Sequence, residues 1–253
     1  MPKLFSDRHD INPSKEYTFT GEDVFYLQRS LRMRPGELLT LGTADGRDFE
    51  GKILRMTADS VVVEWMSERP NQAEPPYQAI LYQGLLKGEK MDWLIQKAVE
   101  LGVDRIVPMI SERTIARPEA KDQARKSERW NKIALEAARQ CGRGRVPHVE
   151  PILSFPEAVC AAREHDISFL PWEGERGNLL RSFMEGKSLP SCNDTIHRPS
   201  VSFFIGPEGG FSESEAELVR AAGIATVSLG SRILRAETAG LAVLSILSYR
   251  FEI

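Results

Sequence analysis

VSFFIGPEGGFSESEAELVRAAGIATVSLGSRILRAETAG, residues 201–240, is the stretch that decides the fold. An apolar run, Val201 to Ile205, drops into Gly206-Pro207-Glu208-Gly209-Gly210. Ser212 and Glu215 then form an S-x-x-E capping-box pattern, and Gly223 stands where the helix they open would end. A second apolar run, Ala225 to Leu229, enters another loop, Gly230 to Arg235, before an apolar helix closes the chain. Strand, glycine loop, helix, strand, loop, helix is how an α/β protein builds a ligand crevice at the carboxyl ends of parallel strands. Glycines there let backbone N–H and C=O groups approach a ligand closely. The two loops are expected to hold a nucleotide-like cofactor.

Upstream, the same alternation extends back to Tyr77. Ala79 to Leu86 and Val103 to Ile110 read as strands, separated by a helix over Glu89 to Leu101 that stops at Gly102. A long helix is expected from about Asp122 to Cys141. Ser154 and Glu157 repeat the capping-box pattern and open a helix to Arg163. Ile167 to Leu170 is a strand ending at Pro171-Trp172-Glu173, and Met184 to Pro199 reads as a surface loop. Strands separated by helices imply a mainly parallel sheet covered on both faces. Ser67 to Pro76, with three prolines and no periodicity, reads as a linker. Before it lies a mostly β unit: strands at Glu16 to Thr20, Gly36 to Gly42, Asp48 to Met56 and Val61 to Trp65, with a helix from about Glu22 to Leu31. Asp45-Gly46 is a hairpin signal, and so many short strands suggest a small barrel.

With 253 residues, the chain has room for one large or two smaller domains and a sizeable core. A formal net charge of −3 excludes a globally basic nucleic-acid binder, so any such surface is a local patch. Cys141, Cys160 and Cys192 are scattered, and no Cys/His ligand spacing occurs, which points to a reduced, intracellular, metal-free protein. The amino terminus lacks an apolar signal core, and no 18-residue apolar run occurs, so a cytoplasmic protein without a membrane partner is expected. Familiar fingerprints fail. Gly206 to Gly210 lacks the Lys-Ser/Thr of a P-loop and does not match G-x-G-x-x-G, and there is no G-x-S-x-G or H-E-x-x-H. What remains suits an adenosine-like group seated on loop backbone.

GPEGG after an apolar strand, then LGSRILRAETA and a closing apolar helix, resembles the SPOUT superfamily of methyltransferases. Lys87-Gly-Glu-Lys-Met-Asp-Trp, Gln96-Lys-Ala-Val-Glu-Leu-Gly, Glu112-Arg113, and Gln140-Cys-Gly-Arg143 before Val146-Pro147 follow in the order of its RsmE family, the ribosomal RNA small-subunit methyltransferases E. Leu31-Arg32-Met33-Arg34-Pro35-Gly36 extends the likeness into the amino-terminal unit, so it covers essentially the whole chain. Ala236 stands where that family often carries Thr.

The resemblance implies an α/β fold: a PUA-like β-barrel over residues 1–70 and, over residues 76–253, a SPOUT domain with a carboxy-terminal trefoil knot. It implies a homodimer, S-adenosyl-L-methionine as cofactor (leaving S-adenosyl-L-homocysteine), and methylation at N3 of a uridine in 16S ribosomal RNA. The substrate would be the 30S subunit or a late precursor; the alternative is another RNA position, a tRNA base or a ribose 2′-oxygen. Carried over by position, the donor pocket is Leu170, Gly206, Pro207, Glu208, Gly209, Gly210, Leu229, Gly230, Ile233 and Leu234. Arg235 and Glu208 are the catalytic candidates. Arg235 would stabilise negative charge on the uracil carbonyls, the alternative being an ion pair with Glu237. Glu208 would orient substrate or take the N3 proton, or simply favour the helix start that follows. RNA contacts are expected from Arg29, Arg32, Arg34, Lys87, Lys90, Arg139, Arg143 and Arg145, with the target base turned out of its stack.

Overall fold

The structure, a computed structural model, describes residues 1–6, 16–43, 46–189 and 198–253. The expected turn at Ala44-Asp45, Cys192, and residues 190–197 of the expected loop from Met184 to Pro199 lie outside these residues. The chain divides into two compact units. The first is Met1–Glu74 together with Glu136–Val146; the second is Pro75–Leu135 together with Pro147–Ile253.

In the first unit, β1 (Lys3–Ser6), β2 (Glu16–Phe19), β3 (Leu38–Thr43), β4 (Arg47–Met56) and β5 (Val61–Pro70) form one sheet in the order β1-β3-β4-β5-β2. Among the described residues, only the β1–β3 pair is parallel. Helix α1 (Glu22–Phe25) passes into a π-helical turn, Tyr26–Ser30, where the expected helix loosens to a Leu31 N–H bond onto the Tyr26 carbonyl. Leu27, Leu39, Leu41, Phe49, Ile53, Val63 and Trp65 are buried together. Trp65 meets Phe19 and Phe49 edge-on. The expected linker begins later than its prolines suggest. Ser67 to Pro70 continue β5 because β4 is long enough to pair with them, and Arg47–Glu68 and Arg69–Glu50 ion pairs line the ladder. Pro70 ends the strand, where its missing N–H costs least.

The second unit holds β6 (Gln78–Gly84), α2 (Lys90–Glu100), β7 (Val103–Ile110), most of α3 (Ala120–Cys141), β8 (His148–Val149), β9 (Leu153–Ser154) and α4 (Phe155–Ala162). It continues with β10 (Ile167–Pro171), α5 (Leu180–Glu185), β11 (Ser200–Ile205), α6 (Glu213–Ala221), β12 (Ala225–Val227) and α7 (Ala236–Phe251). Its sheet runs β12-β10-β11-β6-β7-β8, with β9 also on β7, and every pairing is parallel. Alternation along β6 sorts the two faces. Ile80 and Tyr82 enter a core with Phe155 of α4, Phe204 of β11 and Val219 of α6. Leu81 and Gln83 face the other way, toward Gly240 of α7, which in turn lies against Leu94 of α2. Tyr82 and Phe204 stack at 4.7 Å, and burying each such ring stabilises by roughly 1.5–3 kcal/mol. Helix α5 was not anticipated; its Phe183 packs on Phe169 at 5.6 Å. Both capping boxes are formed, at Ser154/Glu157 and Ser212/Glu215. No helix among the described residues is long and apolar enough to cross a membrane.

Candidate functional site

Parallel strands deliver their carboxyl-terminal loops to one edge of the sheet. There, the loops after β10, β11 and β12 enclose a cleft of about 900 Å³, within the range of small-molecule sites. The β11 loop contributes Gly206, Pro207, Glu208, Gly209 and Gly210; the β12 loop contributes Leu229, Gly230, Ile233, Leu234 and Arg235. Every expected donor-pocket residue except Leu170 therefore lines one cavity. Leu170 is fully buried in the core beneath it, and the neighbouring Pro171 reaches the cleft instead. The third wall was missed by sequence reasoning: Trp172, Glu173, Glu175, Arg176 and Leu179, in the loop after β10. Its signal was a strand running into Pro-Trp-Glu-Gly, a loop opening at a strand's carboxyl end.

Two glycines make this packing possible. A methyl on Gly84, the last residue of β6, would lie 2.5 Å from the Pro207 nitrogen, so the glycine loop rests directly on that strand end. Gly210 has φ +68°, and a methyl there would lie 2.5 Å from a Glu173 carboxylate oxygen. The β12 loop is laced to the β10 loop by backbone. Ser228 N–H donates to the Asn178 carbonyl (2.8 Å), and Leu180 N–H donates to the Ser228 carbonyl (2.9 Å). Glu175 fixes the same loop, accepting from the Thr226 hydroxyl (2.7 Å) and the Gly177 N–H (2.9 Å). These bonds hold its carboxyl below the usual range against the opposing effect of burial.

Carboxylates edge the cleft. Glu208 accepts the Lys87 N–H at 3.0 Å and lies 3.6 Å from Lys90 Nζ, which is also 3.7 Å from Glu237. Burial pushes the Glu208 pKa up, but these hydrogen bonds and the Lys90 and Lys87 charges outweigh it, and the net shift is downward. A carboxylate so held is a poorer proton acceptor and a firmer anchor for the Lys87–Lys90 segment. Arg235 is exposed at the start of α7 and lines the cleft; it has no ion-pair partner among the described residues. Glu237 pairs with Lys90, not with Arg235. A backbone-lined pocket with apolar walls and an acidic rim accommodates a neutral heterocycle carrying a cationic group, and it leaves the exposed arginines of its lining, Arg176, Arg232 and Arg235, to meet a second, anionic reactant. No cluster of metal-binding side chains occurs among the described residues.

The residues expected at RNA divide sharply. Arg29, Arg32 and Arg34 are exposed together in the first unit, and Lys87 is exposed in the second. Arg143 is turned inward: its side chain is 3% exposed, and its Nε and a terminal nitrogen donate to Glu74 at 2.8 and 3.0 Å. Arg139, 11% exposed, sits between Asp23 (3.6 Å) and Glu136 (2.8 Å) and lies over the Tyr26 ring. Both guanidiniums are committed to the packing of the first unit. Arg145 is half-buried, its N–H donating to Glu74. Glycines and arginines in one short run suggested a flexible phosphate contact; Glu136 lies only three residues from Arg139, but Asp23 and Glu74, distant in sequence, were invisible to that reading.

An RNA methyltransferase domain family matches residues 73–248, and an RNA methyltransferase PUA domain family matches residues 19–64. Ribosomal RNA small subunit methyltransferase E of Bacillus subtilis (strain 168) is 32% identical over 251 residues, covering 97% of this chain and 94% of that protein. The structure of ribosomal RNA small subunit methyltransferase E from Neisseria gonorrhoeae, bound to S-adenosyl methionine, is similar with a TM-score of 0.83 and 30% identity, covering 98% of this chain and 97% of that one. A Legionella pneumophila methyltransferase in complex with SAM gives a TM-score of 0.82 and 31% identity, covering 98% and 96%. With the methyltransferase domain matched across the cleft and likeness running nearly end to end, the chain belongs to the ribosomal RNA small subunit methyltransferase E family.

Proposed function

We propose that the protein methylates N3 of a uridine in 16S ribosomal RNA, within the 30S subunit or a late precursor, using S-adenosylmethionine. The observation that carries this reading is the cleft itself, where two backbone-rich loops meet beside an arginine unpaired among the described residues. The residues present fit the donor. Leu229 and Leu234 supply apolar walls for adenine, the glycine loop supplies backbone polar groups, and Glu173, Glu208 and Glu237 favour a cationic sulfonium and ammonium. When bound, the donor supplies an electrophilic methyl group; its transfer to N3 leaves S-adenosylhomocysteine and releases the N3 proton.

Within that reading, Arg235 stabilises negative charge on the uracil carbonyls as the N3 proton departs. Glu208 positions rather than deprotonates, because the Lys87 N–H hydrogen bond and the Lys90 charge favour the carboxylate and hold that segment beside the cleft. Arg29, Arg32 and Arg34 meet phosphates and set the register of the RNA. The same reading includes a cytoplasmic homodimer and a trefoil knot in the carboxy-terminal region. Incubation of the protein with labelled donor and either 30S subunits or tRNA tests the assignment. Label is expected in 16S rRNA; label confined to tRNA contradicts it.

A further inference from the structure

The loop after β7 never reaches the cleft, yet it is bonded to the glycine loop that lines it and to the start of the helix that follows. Ser111 to Thr114 form a turn locked on itself. Thr114 N–H donates to the Ser111 carbonyl (3.2 Å), Ser111 N–H donates to the Thr114 hydroxyl (2.9 Å), and the two hydroxyls lie 2.9 Å apart. Both side chains are buried. The residues between them, Glu112 and Arg113, are thereby presented outward from a fixed base. Arg117 adds a bond to the Thr114 carbonyl at 3.2 Å.

Each presented residue takes its own anchor: Arg113 the glycine loop at Gly209, and Glu112 the N-cap of α6 at Ser212. At the start of α6, the Glu112 carboxylate accepts the Ser212 hydroxyl at 2.6 Å. Its backbone N–H donates to Glu215 (2.7 Å), whose other carboxylate oxygen accepts the Ser212 N–H (2.9 Å). Glu215 thus caps α6 and ties it to the β7 loop with the same side chain. In the glycine loop, the Arg113 guanidinium donates to the Gly209 carbonyl at 3.1 Å and faces Glu173, in the cleft's third loop, at 3.9 Å. Gly210 N–H closes the turn on the Pro207 carbonyl at 2.9 Å. The peptide plane between Gly209 and Gly210 is therefore held on both sides, by Arg113 at its oxygen and by Pro207 at its N–H.

We propose that Arg113 is a positioning residue for donor binding: from behind the cleft wall it fixes the Gly209–Gly210 peptide and couples the glycine loop to the loop after β10. Two consecutive glycines have the largest freedom of any dipeptide, and that freedom is lost when a ligand is seated on their backbone. A wall already fixed by a charge-assisted hydrogen bond binds with less ordering to be done. The hydrogen bond carries most of the effect, because the Arg113–Glu173 pair is close to half-exposed and screened by solvent. The inference rests on the donor reading above and specifies how that site is held in shape.

Calorimetric titration of S-adenosylmethionine into the full-length protein, with melting temperatures and steady-state rates on 30S subunits, tests it. Arg113→Ala is expected to weaken donor Kd about tenfold, or ~1.4 kcal/mol. KM for the donor should rise by a similar factor, while kcat at saturating donor and the melting temperature stay near wild type. Arg113→Lys, which keeps a charged donor for the Gly209 carbonyl, is expected to hold Kd within about threefold of wild type; 1 kcal/mol would already be about fivefold. Arg113→Ala binding donor as tightly as wild type overturns the inference. So does a loss of kcat, stability and affinity together, which would make the residue simply structural. Wild-type protein that binds no donor in the same cell overturns the donor reading itself, and this inference with it.

Discussion

Arg235 and Glu208 are both catalytic candidates by sequence, and their surroundings separate them. Arg235, exposed and unpaired among the described residues, is free to meet a developing oxyanion. Arg235→Ala is expected to lower kcat about 10²–10³-fold, with donor affinity within severalfold of wild type by calorimetry. Glu208 is anchored by Lys87 and Lys90, and its folded pKa is depressed. A depressed carboxylate contributes stability above its unfolded pKa and loses it as pH falls through the lower folded value. The Glu208 contribution should therefore be intact at neutral pH and disappear only below the ordinary glutamate range near ~4.3. Thermal melts of wild type and Glu208→Gln should converge in that acid window and differ above it. Gly210→Ala forces a side chain into a left-handed conformation and against Glu173. The backbone strain alone is about 1–2 kcal/mol, so donor affinity is expected to fall at least severalfold in the same titration.

Elements read well from the sequence wherever a local signal carried them. Ser154/Glu157 and Ser212/Glu215 formed the capping boxes their spacing announced. Ser154→Ala should cost about 1 kcal/mol in denaturant unfolding and leave turnover unchanged, since α4 does not line the cleft. Both apolar runs became strands of a parallel sheet with β10 between them, and the two loops that follow them share one cavity. Features set by long-range partners were not legible. Ser67 to Pro70 joined β5 because β4 extended beside them, and Arg143 turned inward to a glutamate 69 residues away. The loop after β10 carried no motif, yet it supplies a full wall of the cleft. Glu112-Arg113 were visible as a motif, while their hold on the glycine loop required coordinates.

At the scale of the whole molecule, a net charge of −3 means that RNA must be attracted by local patches. Arg29, Arg32 and Arg34 form the exposed one in the amino-terminal unit. Replacing all three with alanine should weaken 30S binding and flatten its salt dependence, by about 0.7 in the log–log slope for each single-strand phosphate that is no longer neutralised. Donor affinity should not change, because the cleft lies wholly within the second unit. The central claim, that this cleft places a methyl group on N3 of a 16S uridine, is met most directly by nucleoside mass spectrometry of 16S rRNA from cells lacking the protein. Loss of 3-methyluridine, restored by the wild-type chain and not by Arg235→Ala, is the predicted result; 3-methyluridine persisting at its full level in those cells would contradict it.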